Sequence, residues 1–295
     1  PGGRGAHFSA EGLGKLIHRP SSGRYTLEGL LGADGTETPL RAAPPILAVR
    51  APKGVSVDAR FGEWEAVETE GITGLRFEDV ALLKYKRRDR HGMDDCSADV
   101  RLMWDERALY VRASVFDDVV APGPAGRDLY QGDHLAVWLD WDLQGDFRQD
   151  ARSADDWQIG LKPASAAMPA GAHVWVPKSG PQGVQVASRP LVDTYSGGVY
   201  GYELEAAIPW AAMGGLPPGV SPTEPKPSSG AKPGAARRYT LGVAGAVGFG
   251  LVLTDSDKRA QELVYVSNPG FTWSAPRSFN TLLLVEPRQA ATSSH

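Results

Sequence analysis

The chain has one cysteine, Cys96, in 295 residues. That excludes an intrachain disulfide, a cysteine-rich zinc centre and covalent haem attachment through CxxCH, and it leaves the compartment open. No apolar run approaches the roughly 18 residues of a membrane span, and the opening PGGRGAHF has neither a charged n-region nor an apolar h-region. A start at Pro1 reads as a processed chain or a fragment, so the missing leader says little about secretion. Net charge is only −4, too little to favour nucleic acid or an anionic membrane. The one basic cluster, Lys84 to Arg90, is followed by Asp94 and Asp95 and reads as a solvated strand end or loop. GxSxG, HExxH, Walker A and a strand-linked GxGxxG are all missing, which removes the commonest hydrolase, metalloprotease and nucleotide-binding signatures. The glycine run GVAGAVGFG has the wrong spacing for a dinucleotide loop; it reads as a strand whose side chains are omitted because something packs close to its backbone.

What is present is a globular composition, 42% hydrophobic and 22% charged, arranged in short alternating runs. In ADVRLMWDERALYVRASVFDD, Val100, Leu102 and Trp104 share one face, and Leu109, Val111, Ala113 and Val115 alternate after a turn at Asp105 to Ala108, which predicts a hairpin. Further strands are expected at HLAVWLDW, DWQIGLK, GVQVASR, YGYELEAAI, YTLGVAGAVGFGLVLT, ELVYVS and TLLLVE, and a single helical turn at PWAAM. The expectation is an all-β fold, a single sandwich of two antiparallel sheets over residues 46–287. An N-terminal extension, 1–45, is partly irregular, with a hairpin candidate turning at Asp34-Gly35; 214–238 is a Pro/Gly/Ser-rich flexible insertion, and 288–295 is a tail.

Carboxylate pairs occur at Asp117-Asp118, Asp155-Asp156 and Glu203/Glu205. Glycoside hydrolysis needs two carboxylates facing each other at roughly 5 to 9.5 Å, and the glutamates lie on the exposed parity of an alternating strand, so no catalytic function is expected. The loop WDLQGDFRQDARSADDW places Asp142, Asp146, Asp155 and Asp156 together as oxygen ligands of a calcium site, or as a solvated acidic loop. Histidines His91, His134 and His173 with methionines Met93, Met103 and Met168 offer axial pairs for a b-type haem. Tyr130, after APGPAGRD, and Trp273, in SNPGFTWSAPRSF, are loop aromatics that serve either as platforms for a sugar ring or as plugs over the core.

The order of VDARFGEWEAVE, RLMWDERALYVRASVFDD, YQGDHLAVWLD, DDWQIGLKP, GYELEAAIPWAAMG, the strand into TDSD, and FTWSAPRSFNTLLLVE resembles family 9 carbohydrate-binding modules and related DOMON-like sandwiches, over about Val55 to Glu286. The resemblance implies that Tyr130 and Trp273 are the two aromatics that clamp a terminal sugar, and that calcium is bound in some members. The family's polar sugar contacts fall at Ala136, Gly160, Val252 and Gly270, all small or apolar here. Ala136 and Gly160 are therefore expected to leave a shallow, smooth cleft beside Tyr130. The implied function is a non-catalytic carbohydrate-binding module with a glycan partner, no required cofactor, and an extracellular, periplasmic or cell-surface setting. The alternatives are a structural or interaction sandwich whose cleft takes a protein partner or self-assembles, and a haem-binding electron-transfer domain.

Overall fold

A computed structural model describes residues 40–41, 43–66, 74–85, 90–145, 147–177, 183–220, 239–257 and 262–288, with the backbone of two short strands at 6–8 and 25–28. The hairpin turn at Asp34-Gly35, residue Asp146, most of the 214–238 insertion and the tail after 288 lie outside the described residues. The strands in chain order are β1 (Ala6–Phe8), β2 (Tyr25–Glu28), β3 (Ile46–Arg50), β4 (Leu75–Phe77), β5 (Leu83–Tyr85), β6 (Cys96–Trp104), β7 (Ala108–Asp117) and β8 (His134–Asp140). They continue with β9 (Asp156–Lys162), β10 (Gly171–Val176), β11 (Gln185–Val192), β12 (Val199–Pro209), β13 (Tyr239–Asp255), β14 (Leu263–Val266) and β15 (Asn280–Arg288). Among the described residues one short α-helix, Gly62–Ala66, and several 3₁₀ turns join them; the turn Trp210–Met213 is the one that PWAAM predicts.

The fold is the all-β sandwich expected. One layer is β10-β9-β8-β13-β15 and the other contains β6-β7-β12-β11, with β4 beside β6. Leu135, Val137 and Leu139 of β8, Ile159 and Leu161 of β9, and Phe249, Leu251 and Leu253 of β13 face Val100, Leu102 and Trp104 of β6, Val111 and Ala113 of β7, and Leu204 and Ile208 of β12 in one core. Removing these alternating side chains from water is the main driving force. The layers are not separate. β3, five residues and all of them buried, pairs in parallel with both β15 and β6, so the ladder is continuous through a parallel seam. The β6–β7 hairpin forms as expected, its turn closed by the Asp105 carboxylate accepting from the backbone N–H of Arg107 (2.8 Å) and Ala108 (3.0 Å). In the extension, β2 pairs with β1 and lies parallel to the first residues of β13.

Two differences from the sequence reading bear on function. β10 was not expected, because GAHVWV is only partly apolar; it edges the first layer against β9. Glu203 and Glu205 were expected at the surface and are buried instead. The segment 51–66 lies over that outer face, where the Glu205 carboxylate accepts from Asp58 N (3.0 Å), Ala59 N (2.9 Å) and Trp64 Nε1 (2.7 Å). Glu203 is held by Arg189. Both glutamates are structural acceptors.

Candidate functional site

The outer face of the first layer carries the aromatics. On β8 the residues alternating with the core are His134, Ala136, Trp138 and Asp140. Ala136 pairs with Gly160 of β9 and Val252 of β13, and Trp138 pairs with Gln158 and Gly250. Side chains from elsewhere fold over these small residues. Trp175 of β10 lies on Gly160, where a Cβ would collide with its indole and with Leu129, and Phe271 lies on Gly250 in the same way. Gly245 and Gly248 abut Val220 and Asp140 likewise, so the glycines of β13 are spaces for close neighbours, as the sequence reading held. The smooth open cleft expected beside Tyr130 is therefore absent: Ala136 is only 2% exposed and Gly160 is covered.

Tyr130 and Trp273 nevertheless belong to this face. Tyr130 is 45% exposed and closes the 3₁₀ turn Gly126–Gln131. That turn is anchored through Leu129 against Gly160 and through Trp175 Nε1, which donates to Arg127 O at 2.8 Å. Trp273 is 43% exposed and rests on the neighbouring rung, 6.4 Å from Trp138 and edge-on to Phe271 at 5.3 Å between ring centroids. The loop that carries Trp273 is braced from beneath. Asn268 Nδ2 donates to Asn280 Oδ1 (2.9 Å), Ser267 Oγ to the same oxygen (2.8 Å), and Thr272 N to Ser278 Oγ (2.8 Å).

Arg152 was not singled out from the sequence. Its guanidinium stacks 4.6 Å over the Trp138 ring and donates to the Trp273 carbonyl at 2.6 Å, so it grips Trp273 from the side. Trp138 was also missed, although its even parity with Ala136 in HLAVWLD is the signal that places it on this face. Among the described residues its buried Nε1–H has no acceptor.

The calcium candidates are used locally. Asp142 Oδ1 accepts from Gly145 N at 3.0 Å, Asp155 accepts from Asp142 N at 2.8 Å and from Ser153, and Asp156 accepts from Ser153. Carboxylates converge elsewhere. Among the described residues, ligand oxygens of Asp95, Asp118 and Asp257, and of Asp117, Asp255 and Asp257, lie within 4.8 Å of one another. Asp117 ends β7 and Asp255 ends β13, and both are buried beside Asp133 at one end of the core. Burial, then a backbone hydrogen bond in the opposing direction and nearby carboxylates, leaves Asp117 raised to about 7; burial and Asp117 push Asp255 to about 8. Of the haem candidates, Met103 does not meet His134 or His173. Met103 is buried with Phe61 and Trp64 on the outer face of the second layer, whereas His134 and His173 flank Trp175 on the outer face of the first.

Residues 77–287 match a family model described as carbohydrate family 9 binding domain-like. A carbohydrate binding module family 9 from Caldicellulosiruptor kristjanssonii in complex with cellotriose shares 19% identity at a TM-score of 0.46, over 85% of this chain and 98% of that one. The corresponding complex with glucose shares 18% at 0.45, over 83% and 99%. No curated protein matches at a significant level.

Proposed function

Since the chain belongs to the carbohydrate family 9 binding domain-like family, a family of non-catalytic binding modules, we propose that it binds a glycan by stacking a sugar ring on Trp273, with Tyr130 as the second platform. The observation that carries this reading is Trp273 itself, a large apolar ring left 43% exposed while its loop is braced and its carbonyl is gripped by Arg152. A rigid exposed indole presents a face to the C–H side of a sugar at little entropic cost. Polar contacts come from Arg152 and Gln158 on the same face, in place of the apolar Ala136, Gly160 and Val252. Stacking with few hydrogen bonds gives weak, broad recognition. The setting that suits such a module is extracellular, periplasmic or at the cell surface.

The test is calorimetric titration of glucose and cello-oligosaccharides into the wild-type chain and Trp273→Ala. We expect a dissociation constant near ~1 mM for the wild type and a loss of about tenfold or more in the variant, the order of one stacked ring. A wild-type chain that gives no heat with any of these sugars at concentrations well above that constant overturns the reading.

A second reading, an interaction sandwich, is favoured by one patch. Phe116 and Tyr200 stack at 6.2 Å beside exposed Val199 and Val192, and Tyr195 is 99% exposed. Sedimentation of wild type against Phe116→Ser tests it: self-association that the substitution abolishes supports an interface, and a monomer at every concentration removes self-assembly through this patch.

A further inference from the structure

Arg152 carries a charge into a patch of aromatic side chains. Its guanidinium lies over Trp138, and Nε and Nη2 both donate to the Trp273 carbonyl, at 3.3 Å and 2.6 Å. One side of the planar fork is thus occupied, and its Nη1/Nη2 end remains for a second acceptor. Among the described residues no hydrogen bond involves Nη1 and no carboxylate forms an ion pair with Arg152. Burial lowers its pKa from the ordinary arginine value, and Asp156, beyond ion-pair distance, raises it in part. The guanidinium has therefore lost water without gaining a paired counter-charge.

The neighbouring arginines are built differently. Arg41 is paired with Asp140, and Arg277, in the Trp273 loop, with Asp150. The remaining carboxylates close by turn to their own loop: Asp142 to Gly145 N, Asp155 to Asp142 N and Ser153, and Asp156 to Ser153. A second cation touches the loop near its start, where Lys84 Nζ donates to Pro269 O at 2.7 Å, and it too has no ion pair among the described residues. The charge presented at the rings is positive.

We propose that the glycan this site takes is acidic: a sugar ring stacks on Trp273 while a carboxylate or sulfate ester on that sugar accepts from the Nη1/Nη2 end of Arg152. This inference rests on the glycan reading above and narrows its substrate class. A guanidinium fork matches two oxygens of a carboxylate or sulfate at once, which a lysine ammonium does not. The contact with Trp138 and the two bonds to Trp273 O fix the plane of the fork beforehand, so little side-chain freedom is lost when the anion arrives. A neutral sugar can meet the same ring, but it leaves the guanidinium without a counter-charge.

The experiment is calorimetric titration of glucuronic acid, glucose 6-sulfate, glucose, and acetate and sulfate as bare anions, into the full chain and its Arg152→Gln, Arg152→Lys and Trp273→Ala variants, at low and high salt. We expect at least one acidic sugar to bind the wild type roughly five- to tenfold tighter than glucose at low salt, by a margin that shrinks at high salt; which of the two does so identifies the anion. Arg152 also holds Trp273 by its carbonyl, and a merely structural role would lower acidic and neutral affinities alike, so the readout is their ratio. That ratio should fall to about one in Arg152→Gln and part-way in Arg152→Lys, which keeps the charge without the fork. Glucose bound as tightly as both acidic sugars, a ratio unchanged in Arg152→Gln, or a bare anion bound as tightly as the acidic sugars overturns the inference. If sugars bind without acidic preference and Trp273→Ala weakens them all, the glycan reading stands and only its narrowing falls; if no sugar binds, acidic ones included, the glycan reading falls with it.

Discussion

Gly160 illustrates how a single absent methyl group shapes the outer face. A Cβ at that position would displace Trp175, whose indole in turn is tied to the Tyr130 turn. Gly160→Ala should therefore lower stability by about 1–3 kcal/mol, read as a lower denaturant midpoint, and the loss should shrink in a Trp175→Ala background. Glu205 works in the opposite way, as one side chain satisfying three donors. Glu205→Ala strands the N–H groups of Asp58, Ala59 and Trp64, and a loss of about 3 kcal/mol or more is expected in the same measurement. His134 governs acid sensitivity. Burial pulls it down to about 4, and the neutral ring donates from Nδ1 to Gly132 O at 2.7 Å. The unfolded chain takes up that proton near ~6.5 and the folded chain does not until about 4, so stability is lost as pH falls between those values, by up to about 3 kcal/mol. Asp117 and Asp255 titrate in the opposing direction over part of this range, so the measurement is the difference between wild type and His134→Gln, which should lack this decline.

At the scale of the element, alternation and short apolar runs made most strands readable, even β8 and β14, which are buried on both faces, whereas what covers a strand's outer face was not. The β6–β7 hairpin alternates cleanly because its inward residues meet the core. β12 alternates too, yet the parity of Glu203 and Glu205 reads as solvent only because the strand does not reveal that 51–66 packs across it. The positions of Tyr130 and Trp273 followed from loop placement, whereas Arg152 and Trp175 reach the same face from segments distant in the chain, and spacing has no means of reporting that. The acidic end was illegible for the same reason: its carboxylates come from the ends of separate strands, while the dense acidic loop at 142–156 bonds its own backbone. The loop 267–280 yields a prediction at this scale. Asn268→Ala removes its brace, and the amides around Trp273 should exchange faster while sugar affinity drops, with the sandwich otherwise protected.

For the whole molecule, β13 and β3 determine how the layers hold together. β13 pairs with β8, β14, β15 and β2, and β3 joins β15 to β6. Amides of β3 and β15, central and buried, should exchange only through global unfolding, whereas those of the edge strand β11 should exchange early, which hydrogen exchange can resolve by segment. The seam also sets an order in time. Leu282 must find Ile46 across most of the sandwich's sequence before the two layers are joined, and a chain made N-terminus first has neither β13 nor β15 when β8 is complete. Until β13 follows, β8 lacks its inner neighbour, and pairings this distant in sequence favour slow folding with unpaired β edges exposed in the meantime.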